Sequence, residues 1–311
     1  MMNAFTLFAG TANPALAAGI ARALGVQLGA CAIERFPDGE ISVRLGKTVR
    51  GREVFILQPT SPPVNDHLIE LLACADACRR ASAARITAIV PYFGYARSDK
   101  RHGQCEPITA SMVADLMQAV GINHVVTLDV HAPQIEGFFR IPVDSLTAVP
   151  TLCQALQQRL PADVVVVSPD VGRVQMATEY AHRLGTSVVV LHKRRESGTE
   201  TGVTHVVGDV RGKACLIVDD MISTGGTIAA SVAALRAAGA RSAITVAATH
   251  GLLLEGAHDK LARAGVCEVL VTDTVPVREQ DWPQLRVASI AALLAGAMRR
   301  FLANGSLSDL N

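Results

Sequence analysis

Short apolar runs of strand length recur along this chain, and helical or alanine-rich segments separate them. Such runs, bounded by polar or glycine-containing stretches, are typical of strands buried on both faces. The predicted strands are Val54–Leu57, Ile86–Val90, Val125–Leu128, Val164–Val167, Val188–Leu191, Cys215–Val218, Ile244–Ala247 and Val269–Val271. The predicted helices are 65–82, 109–120, 172–184, 227–238 and an amphipathic tail around 289–302. This alternation predicts an α/β fold of mostly parallel sheets flanked by helices.

The order of the elements indicates two related halves. Residues 54–94 and 214–251 each run through a strand, a polar loop, a helix and a second apolar run, which Ala-Arg precedes. The length of 311 residues suffices for two domains of ordinary size. We therefore expect an N-terminal domain over 1–145 and a C-terminal domain over 146–288. The tail over 289–311 could pack on either half, and we assign it to the N-terminal domain.

Composition argues against several classes of protein. The net charge of +1 gives no broad attraction to nucleic acid or to anionic membranes. The seven cysteines are odd in number and lack CxxC spacing, so a zinc ribbon or a disulfide framework is not expected. Cys74 and Cys78 lie four residues apart on a predicted helix, which is typical of core packing. No stretch resembles a membrane span, and a reducing cytoplasm is the predicted location.

The strongest chemical signal lies between residues 214 and 228, where an apolar run ends in Asp219 and Asp220. A turn follows, and an alanine-rich helix then begins; the turn consists of Ser223, Thr224, Gly225, Gly226 and Thr227. Glycines let a backbone approach a phosphate closely, and a helix N-terminus adds N–H donors and partial positive charge. The two carboxylates can accept hydrogen bonds from vicinal hydroxyls. The segment therefore predicts a sugar phosphate pocket, with a ligand-free polar turn as the alternative.

Two basic segments also follow predicted strands. The loop after Ile86–Val90 carries Arg97, Lys100 and Arg101, which either cover a polyphosphate or form a solvated turn. Lys193 and Arg195 end another run and lead into small polar residues and glycines. They indicate either a flap that closes over developing charge or a basic surface cluster.

Three further residue groups are candidates for ligand contacts. Asp170 and His131 each follow an apolar run and are candidate ligands of Mg²⁺, although His131 by spacing alone better fits a structural histidine. The segment from Arg35 to Glu40 places Phe36 beside a Pro-Asp-Gly turn, where a purine could stack. Taken alone, this segment is better explained as an ordinary turn.

Together these segments resemble the ribose-phosphate diphosphokinase family, also called phosphoribosyl pyrophosphate synthetases. The match runs nearly end to end and covers Gly10–Pro14, Phe36–Glu40, Val64–Leu68, Pro91–Arg97, Glu106–Ala110, Asp129–Phe139, Ser168–Gly172, Lys193–Arg195 and Val218–Thr227. The resemblance implies two type I phosphoribosyltransferase-like domains. It also implies transfer of the diphosphoryl group of ATP to the 1-hydroxyl of ribose 5-phosphate, with release of AMP.

The resemblance implies a role for each candidate residue. Lys193 and Arg195 would be catalytic, and Mg²⁺ would be held by His131 and Asp170. The ATP contacts would be Phe36, Asp38, Gly39, Glu40, Arg97, Ser98, Asp99 and His131. The ribose 5-phosphate contacts would be Arg195, Asp219, Asp220, Ser223, Thr224, Gly225, Gly226 and Thr227. The family usually forms hexamers, in which the segment around Phe36 reaches the ATP site of a neighbouring subunit.

The chain departs from the family pattern at three of these places. Ser98 stands where glutamine is usual, Arg173 where glycine is usual, and Ser223 where aspartate is usual. Arg50, Ser82 and residues 306–308 resemble parts of a phosphate/ADP regulatory site, without the usual aromatic residue in the tail. Two alternative functions remain at this point, a non-catalytic regulatory paralogue and a phosphoribosyltransferase.

Overall fold

The computed structural model describes residues 5–101, 103–193, 204–277 and 282–307, without the side chains of Lys193 and Thr204. The strands are β1 Phe5–Ala9, β2 Cys31–Arg35, β3 Ile41–Leu45, β4 Glu53–Leu57, β5 Arg85–Val90, β6 His124–Leu128, β7 Val143–Leu146, β8 Val165–Ser168, β9 Val188–Lys193, β10 Thr204–Val207, β11 Cys215–Ile222, β12 Ile244–Gly251, β13 Glu268–Thr272 and β14 Leu285–Ala288. The α-helices are α1 Pro14–Leu24, α2 Val64–Arg80, α3 Thr109–Ala119, α4 Val149–Leu156, α5 Val174–Leu184, α6 Gly226–Ala237, α7 Ala257–Ala264 and α8 Ala291–Leu302. The chain divides into an N-terminal unit, 1–147 with 274–276 and 289–311, and a C-terminal unit, 148–273 with 277–288.

The N-terminal unit is built on a five-stranded parallel sheet in the order β1-β4-β5-β6-β7. Side chains alternate across a strand, so the apolar runs bury residues on both faces. Val54 and Ile56 of β4 lie in one core cluster with apolar residues of α2 and α3. Phe55 lies on the opposite face, where its ring meets Phe301 of α8 edge-on, with 6.3 Å between centroids. Helices therefore cover both faces of the sheet.

Phe301 also packs against a cluster of polar side chains that β5, β6 and β7 contribute. Its ring centroid lies 4.3 Å from that of His124 and 5.0 Å from the guanidinium carbon of Arg85. The Nδ1 atom of His124 lies 2.9 Å from Nη2 of Arg85, and Nε2 lies 2.7 Å from Oδ2 of Asp144. Because arginine can only donate, Nδ1 accepts and Nε2 carries the proton. The contacts thus favour the neutral imidazole.

The environment of His124 predicts a pH-dependent stability. Burial lowers the pKa of His124 below 6.5, although the hydrogen bond with Asp144 opposes the shift. A lowered folded-state pKa gives stabilisation that is present above the unfolded value and is lost as the pH falls through the folded value. We expect His124→Gln to cost about 1–2 kcal/mol at pH 7 and less at pH 5, measured by calorimetry at both values. An equal or larger cost at pH 5 would contradict this account.

The C-terminal unit is built on a seven-stranded sheet in the order β10-β9-β8-β11-β12-β13-β14. The β9–β10 pair is antiparallel, and the remaining described pairs are parallel. One face packs against α6 and α7, where Leu235 and Leu261 join Val246 in a buried cluster. Helix α5 packs on β8, β9 and β11, and α4 packs on β12, β13 and β14. Because β8 pairs in parallel with both β9 and β11, the carboxyl ends of these three strands meet at one edge of the sheet.

These observations confirm the predicted α/β fold with mostly parallel sheets flanked by helices. The two segments with similar order, 54–94 and 214–251, form β4-α2-β5 and β11-α6-β12, each with adjacent parallel strands. One bound of the prediction is wrong: the strand predicted over Cys215–Val218 continues to Ile222, so Asp219 and Asp220 lie inside β11. The ladder to β12 continues as far as Ile222, which pairs with Gly251, and this pairing keeps the acidic residues in the strand.

Candidate active site

The loop between β11 and α6 forms the candidate anion site. Gly225 is the N-cap of α6, with a left-handed φ of 72°, and it has no side chain to cap the helix. A Cβ atom at this position would lie 3.1 Å from Cγ of Leu261. The N–H of Leu254 donates to the carbonyl of Ser223 at 3.0 Å and anchors the loop. This arrangement leaves the first turn of α6 without a side-chain cap, as an anion-binding helix N-terminus requires.

Asp219 and Asp220 form a buried acidic pair immediately before this loop. They are 9% and 2% exposed. The backbone N–H of Asp220 donates to Oδ1 of Asp219 at 2.9 Å. Burial and the neighbouring Asp220 raise the pKa of Asp219 well above its ordinary value, and Arg173 opposes the rise. Two adjacent carboxylates can accept hydrogen bonds from two hydroxyl groups on one ligand.

Arg173 contacts both members of the acidic pair. Its Nε lies 3.2 Å from Oδ1 of Asp219, and its Nη2 lies 3.2 Å from Oδ1 of Asp220. All three side chains are largely buried, and that of Arg173 is 14% exposed. Arg173 reaches the pair because it follows β8, the parallel neighbour of β11.

Asp170 begins the short helical turn Val171–Arg173 after β8. Its Oδ1 accepts the backbone N–H of Arg173 at 3.2 Å, and its carbonyl accepts the hydroxyl of Ser168 at 2.6 Å. Asp170 itself is exposed. Its carboxylate is therefore oriented from within the protein and accessible from outside it.

Lys193 is the last residue of β9 and pairs through its backbone with Thr204 of β10. Because β9 runs parallel to β8, Lys193 ends at the same sheet edge as Asp170. Its side chain and the whole of Arg195 lie outside the described residues.

In the N-terminal unit, the strands β2 and β3 form an antiparallel hairpin whose tip carries the predicted adenine segment. The N–H of Phe36 donates to the carbonyl of Glu40 at 2.9 Å, and the N–H of Gly39 donates to the carbonyl of Phe36 at 2.9 Å. Gly39 has a φ of 94°, and Oδ1 of Asp38 accepts the N–H of Glu40 at 3.1 Å. Phe36 is 51% exposed. The turn thus presents an aromatic ring beside two exposed carboxylates.

A buried carboxylate anchors this hairpin to α2. Glu70, which is 1% exposed, accepts the hydroxyl of Thr11 at 2.7 Å and the amide of Gln58 at 2.8 Å. Arg35, the last residue of β2 before the turn, lies 3.5 Å from Glu70 and donates to Asp66 at 2.8 Å. These contacts fix the start of the turn that carries Phe36.

The loop after β5 places the predicted ATP residues in different surroundings. Arg97 is exposed and lines a cavity of 650 Å³ with Asn65, Asp66 and Tyr95. Ser98 instead ties the loop to α3, because its Oγ accepts the N–H of Thr109 at 3.2 Å.

Asp99 and His131 lie nearer the interior of the same unit. Asp99 is 7% exposed, and its carboxylate accepts a hydrogen bond from Gln134. His131 follows β6 and is half-buried. The candidate ATP residues thus follow neighbouring strands, and the adenine segment sits on the separate hairpin. Within the described ranges, no three His, Cys, Asp or Glu side chains cluster as a metal site.

Comparison with known proteins identifies the family. Residues 5–121 match the N-terminal domain of ribose phosphate pyrophosphokinase, and residues 195–311 match the phosphoribosyl synthetase-associated domain. The ribose-phosphate pyrophosphokinase of Marinomonas sp. is 44% identical, with 99% of each chain covered. The chain belongs to the ribose-phosphate pyrophosphokinase family. This confirms the resemblance inferred from the sequence.

Other members of the ribose-phosphate pyrophosphokinase family match equally broadly. The enzyme of that name from Chromobacterium violaceum is 45% identical over 98% of this chain and 94% of its own length. The crystal structure of phosphoribosylpyrophosphate synthetase from Mycobacterium smegmatis superimposes with a TM-score of 0.90 and 45% identity. It covers 97% of this chain and 99% of that chain. Among the described helices, none has the length and apolar character needed to span a membrane.

One feature of the site was not predicted, namely the pairing of Arg173 with Asp219 and Asp220. The sequence marked Arg173 only as a departure from the family pattern. A signal was present, because Arg173 follows β8 by five residues and strands of a parallel sheet end at one edge. No sequence pattern placed β8 beside β11, however, because β9 and β10 lie between them along the chain.

Proposed function

We propose that this chain transfers the diphosphoryl group of ATP to the 1-hydroxyl of ribose 5-phosphate, giving phosphoribosyl pyrophosphate and AMP. The observation that carries the proposal is the buried pair Asp219 and Asp220 in β11, the strand that leads into the glycine N-cap of α6. A phosphorylated pentose needs both an anion site and acceptors for vicinal hydroxyls, and β11 with the loop that follows it offers the two together. The curated relatives, with chains of similar length, carry the same activity in their names.

The C-terminal unit would bind ribose 5-phosphate. The loop from Ser223 to Thr227 would hold the 5-phosphate through N–H and hydroxyl donors. Asp219 and Asp220 would hold the ribose hydroxyls and so orient the 1-hydroxyl. Ser223 keeps a hydroxyl donor at the position where the family usually has a carboxylate, which favours phosphate binding. Arg195 is proposed as a further contact, although it lies outside the described residues.

The N-terminal unit would bind ATP. Arg97 is exposed beside a cavity and is the proposed cation for the phosphates. Ser98 and Asp99 would act with it, in part by shaping the loop through their contacts with Thr109 and Gln134. His131 completes the proposed set.

The adenine segment favours a composite arrangement. Phe36 is exposed at a hairpin tip together with Asp38, Gly39 and Glu40. We propose that this tip contacts adenine at the ATP site of a neighbouring subunit in a homohexamer, with a cytoplasmic location and regulation by phosphate or ADP.

The donor chemistry fits Mg²⁺. Sites for this ion in phosphoryl transfer use one or two carboxylates together with substrate phosphates and water, rather than a cage of protein ligands. Asp170 is an exposed carboxylate oriented by a backbone N–H, and would hold the ion in the C-terminal unit. His131 is the proposed ligand in the N-terminal unit. Bound Mg²⁺ neutralises charge on the phosphates.

Catalysis would rest on positioning and charge neutralisation. The attacking hydroxyl, the β-phosphorus and the leaving oxygen of AMP must lie in line. Asp219 and Asp220 orient the nucleophile, Arg97 orients the triphosphate, and Lys193 with Arg195 would stabilise charge in the transition state.

An assay of AMP formation tests this function. With Mg²⁺ and ATP, AMP should form with ribose 5-phosphate and not without a sugar phosphate. With 2-deoxyribose 5-phosphate, which offers one hydroxyl fewer to the acidic pair, we expect the rate to fall at least about tenfold. A protein that binds both substrates and forms no AMP would contradict the proposal and favour a non-catalytic paralogue.

A further inference from the structure

The guanidinium group of Arg173 contacts both Asp219 and Asp220, at 3.2 Å from each carboxylate. The contacts are made in a largely buried setting, where a cation and two carboxylates interact more strongly than at the surface. Arg173 is held from its backbone as well, because its N–H donates to Asp170. Its placement thus links the turn after β8 to the acidic strand β11.

The atoms used by Arg173 matter for ligand binding. The two ion pairs engage Oδ1 of Asp219 and Oδ1 of Asp220. A carboxylate has two oxygens and about four lone-pair positions, so contact with the arginine through Oδ1 does not use the whole acceptor capacity of either side chain. Arginine and pentose are therefore compatible occupants of the same acidic pair.

Electrostatics gives the arginine a function in binding. Two adjacent buried carboxylates repel each other, and a protonated carboxyl group would donate a hydrogen bond instead of accepting one. The 5-phosphate of the substrate adds further negative charge at the next turn of the chain. A fixed guanidinium between the carboxylates reduces both repulsions and fixes the rotamers of the two acids.

We propose that Arg173 is a positioning residue for ribose 5-phosphate: it is a built-in counter-ion that holds Asp219 and Asp220 ready to accept the ribose hydroxyls. This inference rests on the proposed function of the same site. Arg173 acts through the two aspartates and remains in place when the sugar phosphate binds.

The test compares ribose 5-phosphate binding by calorimetry in the full chain and three variants. Arg173→Gln should weaken binding at least about tenfold while the KM for ATP stays within about twofold, because two charge-assisted contacts are lost at one substrate site. Arg173→Lys keeps the charge without the planar fork, and should weaken binding by a smaller factor. Arg241→Gln is the matched control, since Arg241 pairs with Asp163 at 3.1 Å near the opposite sheet edge. It should bind like the unaltered chain.

Each outcome decides the inference. Equal or tighter binding of ribose 5-phosphate by Arg173→Gln would overturn it, and tighter binding would identify Arg173 as a competitor of the sugar. A parallel loss of ATP affinity and thermal stability would overturn it in favour of a structural role. If Arg173→Gln does not fold, Arg173→Lys decides, and unaltered affinity overturns the inference. Failure of the proposed function is recognised separately, because the unaltered chain would then not bind ribose 5-phosphate.

Discussion

Replacing Asp219 with asparagine should lower ribose 5-phosphate-dependent AMP formation by roughly ten- to a hundredfold while leaving the fold as stable or more stable. The amide keeps the shape of the side chain but loses the charge and one acceptor. Stability should not suffer, because burial and repulsion from the adjacent buried carboxylate of Asp220 raise the pKa of Asp219, the change removes that repulsion, and Asp220 still pairs with Arg173. The measurements are initial rates of AMP formation and the thermal unfolding midpoint of both proteins.

A matched exchange controls for the loss of charge. Asp163 is a carboxylate of the same unit that pairs with Arg241 at 3.1 Å, and both side chains are over 40% exposed. Asp163→Asn should leave the rate unchanged, because Asp163 lies before β8 rather than after it. The change should also cost little stability, because an exposed ion pair contributes little to the free energy of folding. Unchanged activity in Asp219→Asn would remove the acidic pair from the site.

Replacing Gly225 with valine should weaken ribose 5-phosphate binding at least about tenfold and destabilise the C-terminal unit by about 1–3 kcal/mol. The φ of 72° is in the left-handed region, which a β-branched residue adopts only with strain. The new Cβ would also approach Leu261 to 3.1 Å. Relief of either strain would turn the N–H groups of the first turn of α6 away from the phosphate. Calorimetric titration with ribose 5-phosphate measures the effect.

Gly212 separates backbone strain from loss of the binding site. Its φ is 70°, and a Cβ there would meet nothing within 4 Å. It precedes β11 and therefore lies toward the sheet edge opposite the loop of Gly225. Gly212→Val should show a comparable strain cost and normal binding of ribose 5-phosphate. Equal binding by both variants would contradict a phosphate role for the loop.

The parts of the fold that the sequence predicted are those with continuous apolar runs. Strands such as β4 and β5 are buried on both faces and were found within a residue of their predicted bounds. The hairpin strand β2, Cys-Ala-Ile-Glu-Arg, and the edge strand β14 are only partly buried. They show neither an unbroken apolar run nor strict alternation, so periodicity could not identify them.

Helix α1 was missed although its signals are present. Asn13 caps it through Oδ1, Pro14 is its first residue, and Gly25 ends it in the left-handed conformation.

Within the candidate site, local signals were predictable and contacts across strands were not. The loop of Gly225 follows from the two glycines and the start of an alanine-rich helix. The contact of Arg173 with Asp219 joins residues that are distant along the chain. No spacing rule encodes such contacts, because they depend on which strands become neighbours.

The central claim is that the site passes an intact diphosphoryl group from ATP to ribose 5-phosphate. The most direct test uses ATP radiolabelled either at the α-phosphate or at the γ-phosphate, with chromatographic separation of the products. The account predicts that the α label appears in AMP and the γ label in the sugar product, both only when ribose 5-phosphate is present. An α label in ADP, with the γ label alone on the sugar, would show transfer of a single phosphoryl group and would contradict it.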